Sequence, residues 1–588
     1  MDLVIKSKLE QFRKDWDLTA LSEDQAFEAF AGFSVLSSFY EDKFSPDAFR
    51  TGGGNDLGID VFGMLVNGEL LHDAADVREV AERAKKLDVR VVVIQAKTSA
   101  SFETKVVSDL AENLRHILGP EDVRYPSSSG ITNIRECLQA VYGDIGKLSD
   151  RPPRLHVRYI STGEQVAEMI DQKARSAEDQ LTSLNRFEKV DFRCVTRHEL
   201  RELYQRATTA LSATFTMPKK ITLPRIPGVE QSFQGLLAAT ELVDNVLTDP
   251  GGGVHRTLFL ENVRDFLGYD KNDVNQKIRE TLRDPERRQR FAVLNNGVTI
   301  VARELTTLGD EIRVRDFQIV NGCQTCHVLF DQRSQLTDAV QVSVRLVHSS
   351  DEDVIRGIVA ATNRQTAISE EDLSAREEFH QRLEEYFAAH DRSQILYYER
   401  RAKQYNARTD VEKTRIISRG QLTRAYLAMF LNEPSRVGHY KALVAERGKE
   451  LFKEGQQAAY YYTAAATSYR LEWLLRNRRI QNSYAPARYH LLAAIKMRIL
   501  GPGAPSPNSR TAIKECDKIL KVVWKATTAE QLVLDLLRPL QRAVDAERAL
   551  GVPLGEMVRT QRFAERVRVE VLGPTNSSAR EAGNGTAR

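Results

Sequence analysis

Near the amino terminus the apolar positions recur with helical spacing. Leu3, Leu9, Phe12 and Trp16 mark a helix predicted over residues 3–18. A second helix is predicted from Ser22, where Ser22-Glu23-Asp24-Gln25 has the form of a capping box. Its apolar stripe is Phe27, Phe30, Phe33 and Leu36, and Glu28 falls off that stripe, toward solvent or toward a polar site. The pattern then turns to strands. An apolar run begins at Val61, and Val91-Val92-Val93-Ile94 is a β-branched run ending in Gln95-Ala96-Lys97. Roughly 35 residues separate Asp60 from Gln95, more than a plain hairpin needs. Asn67-Gly68 signals a hairpin turn and Val77 to Leu87 a charged helix, so an insertion is predicted between the two strands. Further on come a helix over Phe102 to Leu118, a strand over Leu155 to Ile160, a helix over Gln165 to Leu181 and a strand over Phe187 to Val195.

This order predicts an α/β fold whose first domain, residues 1–212, is a small mixed sheet flanked by helices. The proline-rich polar stretch from Met217 to Gly228 predicts a linker over 213–228. Residues 229–370 read as an α+β domain, 371–570 as mostly helical, and the Gly- and Ser-containing end, 571–588, as a disordered tail.

Composition narrows the function classes. The formal net charge of the 588 residues is only +3, which argues against a protein that coats nucleic acid and allows a local basic cleft. Five cysteines do not make a disulfide framework in so long a chain. No stretch nears the ~20 apolar residues of a membrane span, and Met1 to Lys6 does not open a signal peptide. A cytoplasmic protein without a membrane partner is expected. No G-x-x-x-x-G-K-[ST] phosphate loop is present, which speaks against a P-loop nucleotidase.

The candidate chemistry lies at the ends of the two early strands. Gly52-Gly53-Gly54-Asn55-Asp56-Leu57-Gly58-Ile59-Asp60 sets an acid after a glycine loop, and alternation puts Gln95 and Lys97 on one face of the later strand. If that face meets Asp60, a carboxylate, an amide oxygen and an ammonium converge. Asp60, the Gln95 amide and the Ala96 carbonyl are oxygen donors suited to Mg²⁺ or Mn²⁺, with Lys97 orienting a water or stabilising a phosphoryl transition state. The alternative is an ordinary α/β domain with an exposed Asp and Lys.

A second set of motifs ends apolar runs in amides and glycines: Asn295-Asn296-Gly297, Asn321-Gly322-Cys323-Gln324-Thr325 and Asn363-Arg364-Gln365. Such loops either satisfy turns or contact a phosphate, a nucleotide or a base edge. Cys323-x-x-Cys326-His327 spells a haem-attachment motif, but that chemistry needs export, so two buried small residues are expected. Arg400, Arg401, Lys403, Lys413 and Arg415, together with Tyr460 to Tyr462 and Trp473, allow a grip on nucleic acid or, alternatively, amphipathic helices with arginines reaching to the surface.

Two resemblances follow from these residues. The run G-x-x-D-x-G-I-D ending at Asp60, with Gln95-x-Lys97, resembles the restriction-like subgroup of the PD-(D/E)xK nucleases; Gln95 stands where many members carry an acid. That family also places an acid on the preceding helix, which maps to Glu28. The resemblance implies a restriction-endonuclease-like domain with catalytic residues Asp60, Gln95, Lys97 and Glu28, and a metal at Asp60, Gln95 and Ala96. The motifs N-N-G-x-T, I-V-N-G-x-Q-T and A-T-N-x-Q, in order over residues ~230–500, closely resemble the AIPR family, named for abortive infection and phage resistance. The N-G-x-Q-T motif is also similar to a motif of ParB-like DNA- or nucleotide-binding domains, without its His-Arg pair.

Together the resemblances imply a metal-dependent nuclease of antiphage defence, acting on DNA in preference to RNA, answering a phage-derived trigger and working as a homodimer. In this reading Asn295, Asn296, Asn321, Gln324, Thr325, Asn363, Gln365, Arg400 and Arg401 would contact nucleic acid or a nucleotide. The competing expectation is a catalytically degenerate sensor of a phage component or nucleotide.

Overall fold

A computed structural model describes residues 2–40, 42–52, 56–119, 128–143, 145–148, 152–209, 211–249, 252–259, 273–362, 370–400, 404–405, 408, 410–453, 455–501, 511–548 and 554–573. All statements below concern these residues.

The first sheet has the order β2-β1-β3-β4-β5, with β1 over Val61–Val66, β2 over Glu69–Leu71, β3 over Val89–Lys97, β4 over Arg154–Ser161 and β5 over Lys189–Val195. β1 runs antiparallel to β2 and β3, while β3, β4 and β5 run parallel. Asn67 and Gly68 both take positive φ, 51° and 77°, as the tight β1–β2 turn requires. Seven helices flank the sheet: α1 Leu3–Asp15, α2 Glu23–Leu36, α3 Ala74–Arg83, α4 Thr104–Leu118, α5 Ser129–Tyr142, α6 Glu168–Thr182 and α7 Arg197–Thr208. The Ser22/Gln25 capping box is formed as expected.

Alternation along β3 divides the core in two. Val92, Ile94 and Ala96 pack with α1, α2 and α7, among Leu9, Phe12, Phe27, Phe30 and Tyr204. Val91 and Val93 pack on the opposite face with Val107, Leu110 and Leu114 of α4 and Ile131 of α5. The insertion between the strands is real: β2 and α3 fill it, with α3 beginning a few residues before the expected Val77.

The stretch expected to be a linker, 213–228, instead supplies two strands: β6, Ser212–Thr216, and β7, Lys219–Thr222. They are the outer strands of a second sheet ordered β6-β10-β9-β11-β8-β7, with β8 at Gln231–Ala238, β9 at Val298–Leu308, β10 at Glu311–Asn321 and β11 at Gln341–His348. Pro218 and Pro224 follow these short edge strands rather than interrupting them, which an edge tolerates. From residue 370 on the chain is mostly helical; the exception is a two-stranded pair, β12 at Tyr397–Glu399 with β13 at Ile416–Ser418. Tyr460, Tyr461 and Tyr462 lie in the helical core; Tyr461 stacks on Tyr426 at 4.2 Å. Packing, not base stacking, accounts for that aromatic run. The expected tail at 571–588 begins with the end of a helix, Gln561–Leu572; residues 574–588 lie outside the described residues.

Candidate active site at the end of the first sheet

Asp60 sits one residue before β1. The last β1–β3 pairs are Val61 with Ile94 and Phe62 with Val93, so one step further Asp60 stands opposite Gln95, on the face continued by Lys97. Its backbone N–H donates to the Ile94 carbonyl at 3.0 Å, and its Oδ2 accepts from the Ala96 N–H at 2.7 Å. Because Ile94 turns its backbone toward β1, alternation turns the polar groups of Ala96 the same way, beside the Asp60 carboxylate. Asp60 and Gln95 are each 6% exposed, whereas the Lys97 side chain reaches solvent.

The loop before Asp60 closes over Gln95. Asp56 Oδ1 accepts from the Gly58 N–H at 3.0 Å, and Asn113 of α4 donates to the Leu57 carbonyl at 3.0 Å. Leu57 adopts a left-handed φ of 53°, a strained state for a branched side chain. Gly58 has φ 79°, which favours glycine, and a Cβ there would lie 2.9 Å from Gln95 Nε2, so a larger residue would be strained and would displace the Gln95 amide. Gln95 Oε1 is buried without a hydrogen-bond partner among the described residues.

Charge is concentrated here. Burial, with Glu28 and Asp56 nearby, pushes the Asp60 carboxyl up to about 7, against the opposing Ala96 N–H and Lys97. Burial also raises Glu28, against the pull of Arg50. Glu28 accepts from Arg50 Nε at 2.9 Å, and Arg50 also meets Asp47 at 2.8 Å. The four residues proposed for catalysis therefore gather at one sheet end, but Glu28 is held in an ion pair. Arg50 carried no sequence signal, because its partner is 22 positions away.

The donor set fits a hard divalent cation: a buried carboxylate, a buried amide oxygen without a partner and the backbone carbonyl of Ala96 near the end of β3, with Glu28 nearby. It is lean in acids, since among the described residues no group of three or more His, Cys, Asp or Glu is placed to hold a metal. Two surface hollows of about 310 and 360 Å³ lie between α4 and α6 and between α3 and α5; neither includes Asp60, Gln95 or Lys97.

Two of the three amide motifs, those at Asn295 and Asn321, meet at one end of the second sheet. Gly322, at φ 95°, opens the helix Cys323–Asp331, and a Cβ on it would lie 2.8 Å from the Gly297 carbonyl. Thr325 donates to Asn295 Oδ1 at 3.2 Å, Gly297 N–H donates to the same oxygen at 2.9 Å, and Asn275 donates to Gln324 at 2.8 Å. Asn321 pairs with Thr299 across β9 and β10, and Asn296 is exposed. Asn295 and Gln324 are thus bonded within this group of strand and helix ends. Cys323 and Cys326 are buried, and burial pushes the Cys326 thiol well up. Arg400 donates to Glu384 at 3.1 Å rather than standing free. Asn363, Gln365 and Arg401 lie outside the described residues.

Comparison with known families bears on this second part. Residues 259–547 match the AIPR family, described as AIPR protein. The match supports the AIPR identification made on the amide motifs, and it covers most of the second sheet's later strands and the helical part. Strands β6 to β8 precede the AIPR match although they complete its sheet, and Asp60, Gln95 and Lys97 also lie before it. No curated protein and no solved structure matches the chain.

Proposed function

We propose that the protein is a metal-dependent nuclease acting in abortive infection against phage, with the first sheet cutting and the AIPR region sensing or holding nucleic acid. One observation carries this reading: Asp60, Gln95 and Lys97 share a face at one sheet end, with the Asp60 carboxylate on the Ala96 amide. Asp60, Gln95 Oε1, the Ala96 carbonyl and Glu28 would hold Mg²⁺ or Mn²⁺. When bound, the ion supplies a water of lowered pKa and neutralises phosphate charge. Lys97, solvent-facing beside the carboxylates, orients the attacking water or offsets charge on the scissile phosphate. The Ala96 N–H fixes the Asp60 carboxylate, and Gly58 keeps the loop close against Gln95.

The test is a gel assay of the purified protein on single- and double-stranded DNA and RNA, with and without Mg²⁺ or Mn²⁺. Loss of cleavage in Asp60→Ala and Lys97→Ala supports the reading; wild-type rates in both sink it. The Glu28–Arg50 ion pair favours a second reading, a degenerate sensor of a phage component or nucleotide. Tight binding without turnover across several divalent ions would select it.

A further inference from the structure

A nine-residue strap, Lys43 to Thr51, runs from the AIPR region to the candidate active site. At one end the Lys43 amine donates to the Ile416 carbonyl of β13, and the charge of Glu399 on the neighbouring strand β12 acts on it. Glu399 is 8% exposed, and both residues lie within the matched AIPR segment. Burial drives the Lys43 pKa down and the Glu399 pKa up, while each favours the other's charged form. At the other end Thr51 N–H donates to the Asp60 carbonyl at 3.0 Å, and Thr51 Oγ1 bonds to the Ile59 carbonyl. Arg50 bridges to Val61 and holds Glu28. Asp60 is thus gripped on one side by β3 and on the other by the strap.

The strap is built to transmit displacement rather than absorb it. Pro46 opens a 3-10 turn over Pro46–Phe49, and no glycine interrupts the segment. Phe44 and Phe49 are buried and in edge contact at 5.3 Å; Phe44 also meets Phe33 of α2, and Phe49 meets His72. Other contacts between the first domain and the helical part bypass the strap, among them Asp17 with Asn477 at 3.0 Å and Arg78 with Glu556 at 3.1 Å.

We infer that Lys43 is a positioning residue: its seat on the Ile416 carbonyl, held there by the charge of Glu399 on the neighbouring strand, sets, through the strap, where Asp60 and Glu28 stand, so that the AIPR region controls the candidate active site. This rests on the proposed nuclease reading only for the meaning of Asp60; the coupling itself is testable without substrate. Amide hydrogen exchange of the full chain is compared for wild type, Glu399→Gln, Lys43→Met, the double variant and Asp17→Asn. Glu399→Gln and Lys43→Met should each speed exchange across residues 44–60 by about tenfold, within the usual range of inter-site coupling, and the double variant no further. Asp17→Asn should leave 44–60 unchanged, which a general loosening of the interface would not. Unchanged exchange at 44–60 in Glu399→Gln while 395–400 and 413–418 open overturns the inference. Should Lys43→Met fail to fold, the shape-conserving Glu399→Gln decides alone. Failure of the cleavage assay leaves this readout standing, so the two ideas fall separately.

Discussion

The Ala96 amide donates to Oδ2 of Asp60 at 2.7 Å, across a strand pair that ends one residue earlier. That bond fixes a carboxylate where burial and two neighbouring acids disfavour its charge. Such an arrangement costs folding stability that a bound cation would return. Asp60→Asn should therefore stabilise the metal-free protein at pH 8, by roughly 1–3 kcal/mol, while abolishing stabilisation by Mn²⁺. Thermal melts with and without Mn²⁺ check both halves; a lower melting temperature without metal would contradict the first.

Gly58→Ala meets a positive φ and the Gln95 amide at 2.9 Å. The loop over Gln95 should shift, at a cost of about 1–3 kcal/mol. On the proposed nuclease reading, cleavage should fall more than stability, because Gln95 would be displaced from Asp60. Denaturant melts beside turnover rates separate the two effects.

The helical part carries an acid-sensitive group. His490 is buried, its Nε2 bonded to the Val558 carbonyl, and burial lowers its pKa from 6.5 to about 4. Between those values the unfolded chain binds a proton that the folded chain excludes. Stability contributed by the neutral ring is thus complete above about 6.5 and is lost as pH falls toward 4, amounting to about 3 kcal/mol. The pH dependence of urea midpoints over this window should flatten in His490→Gln.

Lys496 is 3% exposed and bonds only to the Asn432 amide oxygen among the described residues. Burial lowers its pKa from 10.5 to about 8. The unfolded chain holds more protons between these values, so stability rises with pH across this interval. Lys496→Met should stabilise the protein at pH 7 by about 1–3 kcal/mol and abolish that rise. Equal midpoints for the two proteins at pH 7 would refute it.

Much of this was legible along the chain, because the signals were local. Helical spacing placed α1 and α2, Asn67-Gly68 placed the hairpin turn, and the β-branched run before Gln95 gave β3, whose alternation gave the face Lys97 leaves from. Each depends on φ/ψ preference and the burial of near neighbours, which residue order encodes directly. Strands β6 and β7 were not legible: short and largely polar, they are strands because β10 and β8 offer open edges. The tyrosine run and Arg400 read equally well as a binding surface until their partners, Tyr426 and Glu384, came into place. Sequence alone thus determined which residue types stand at Asp60, Gln95 and Lys97 and the strand ends that carry them. Only the tertiary structure decided that Arg50 holds Glu28 and that Lys43 bonds to the Ile416 carbonyl of β13, because those pairings form when distant segments desolvate each other's polar groups.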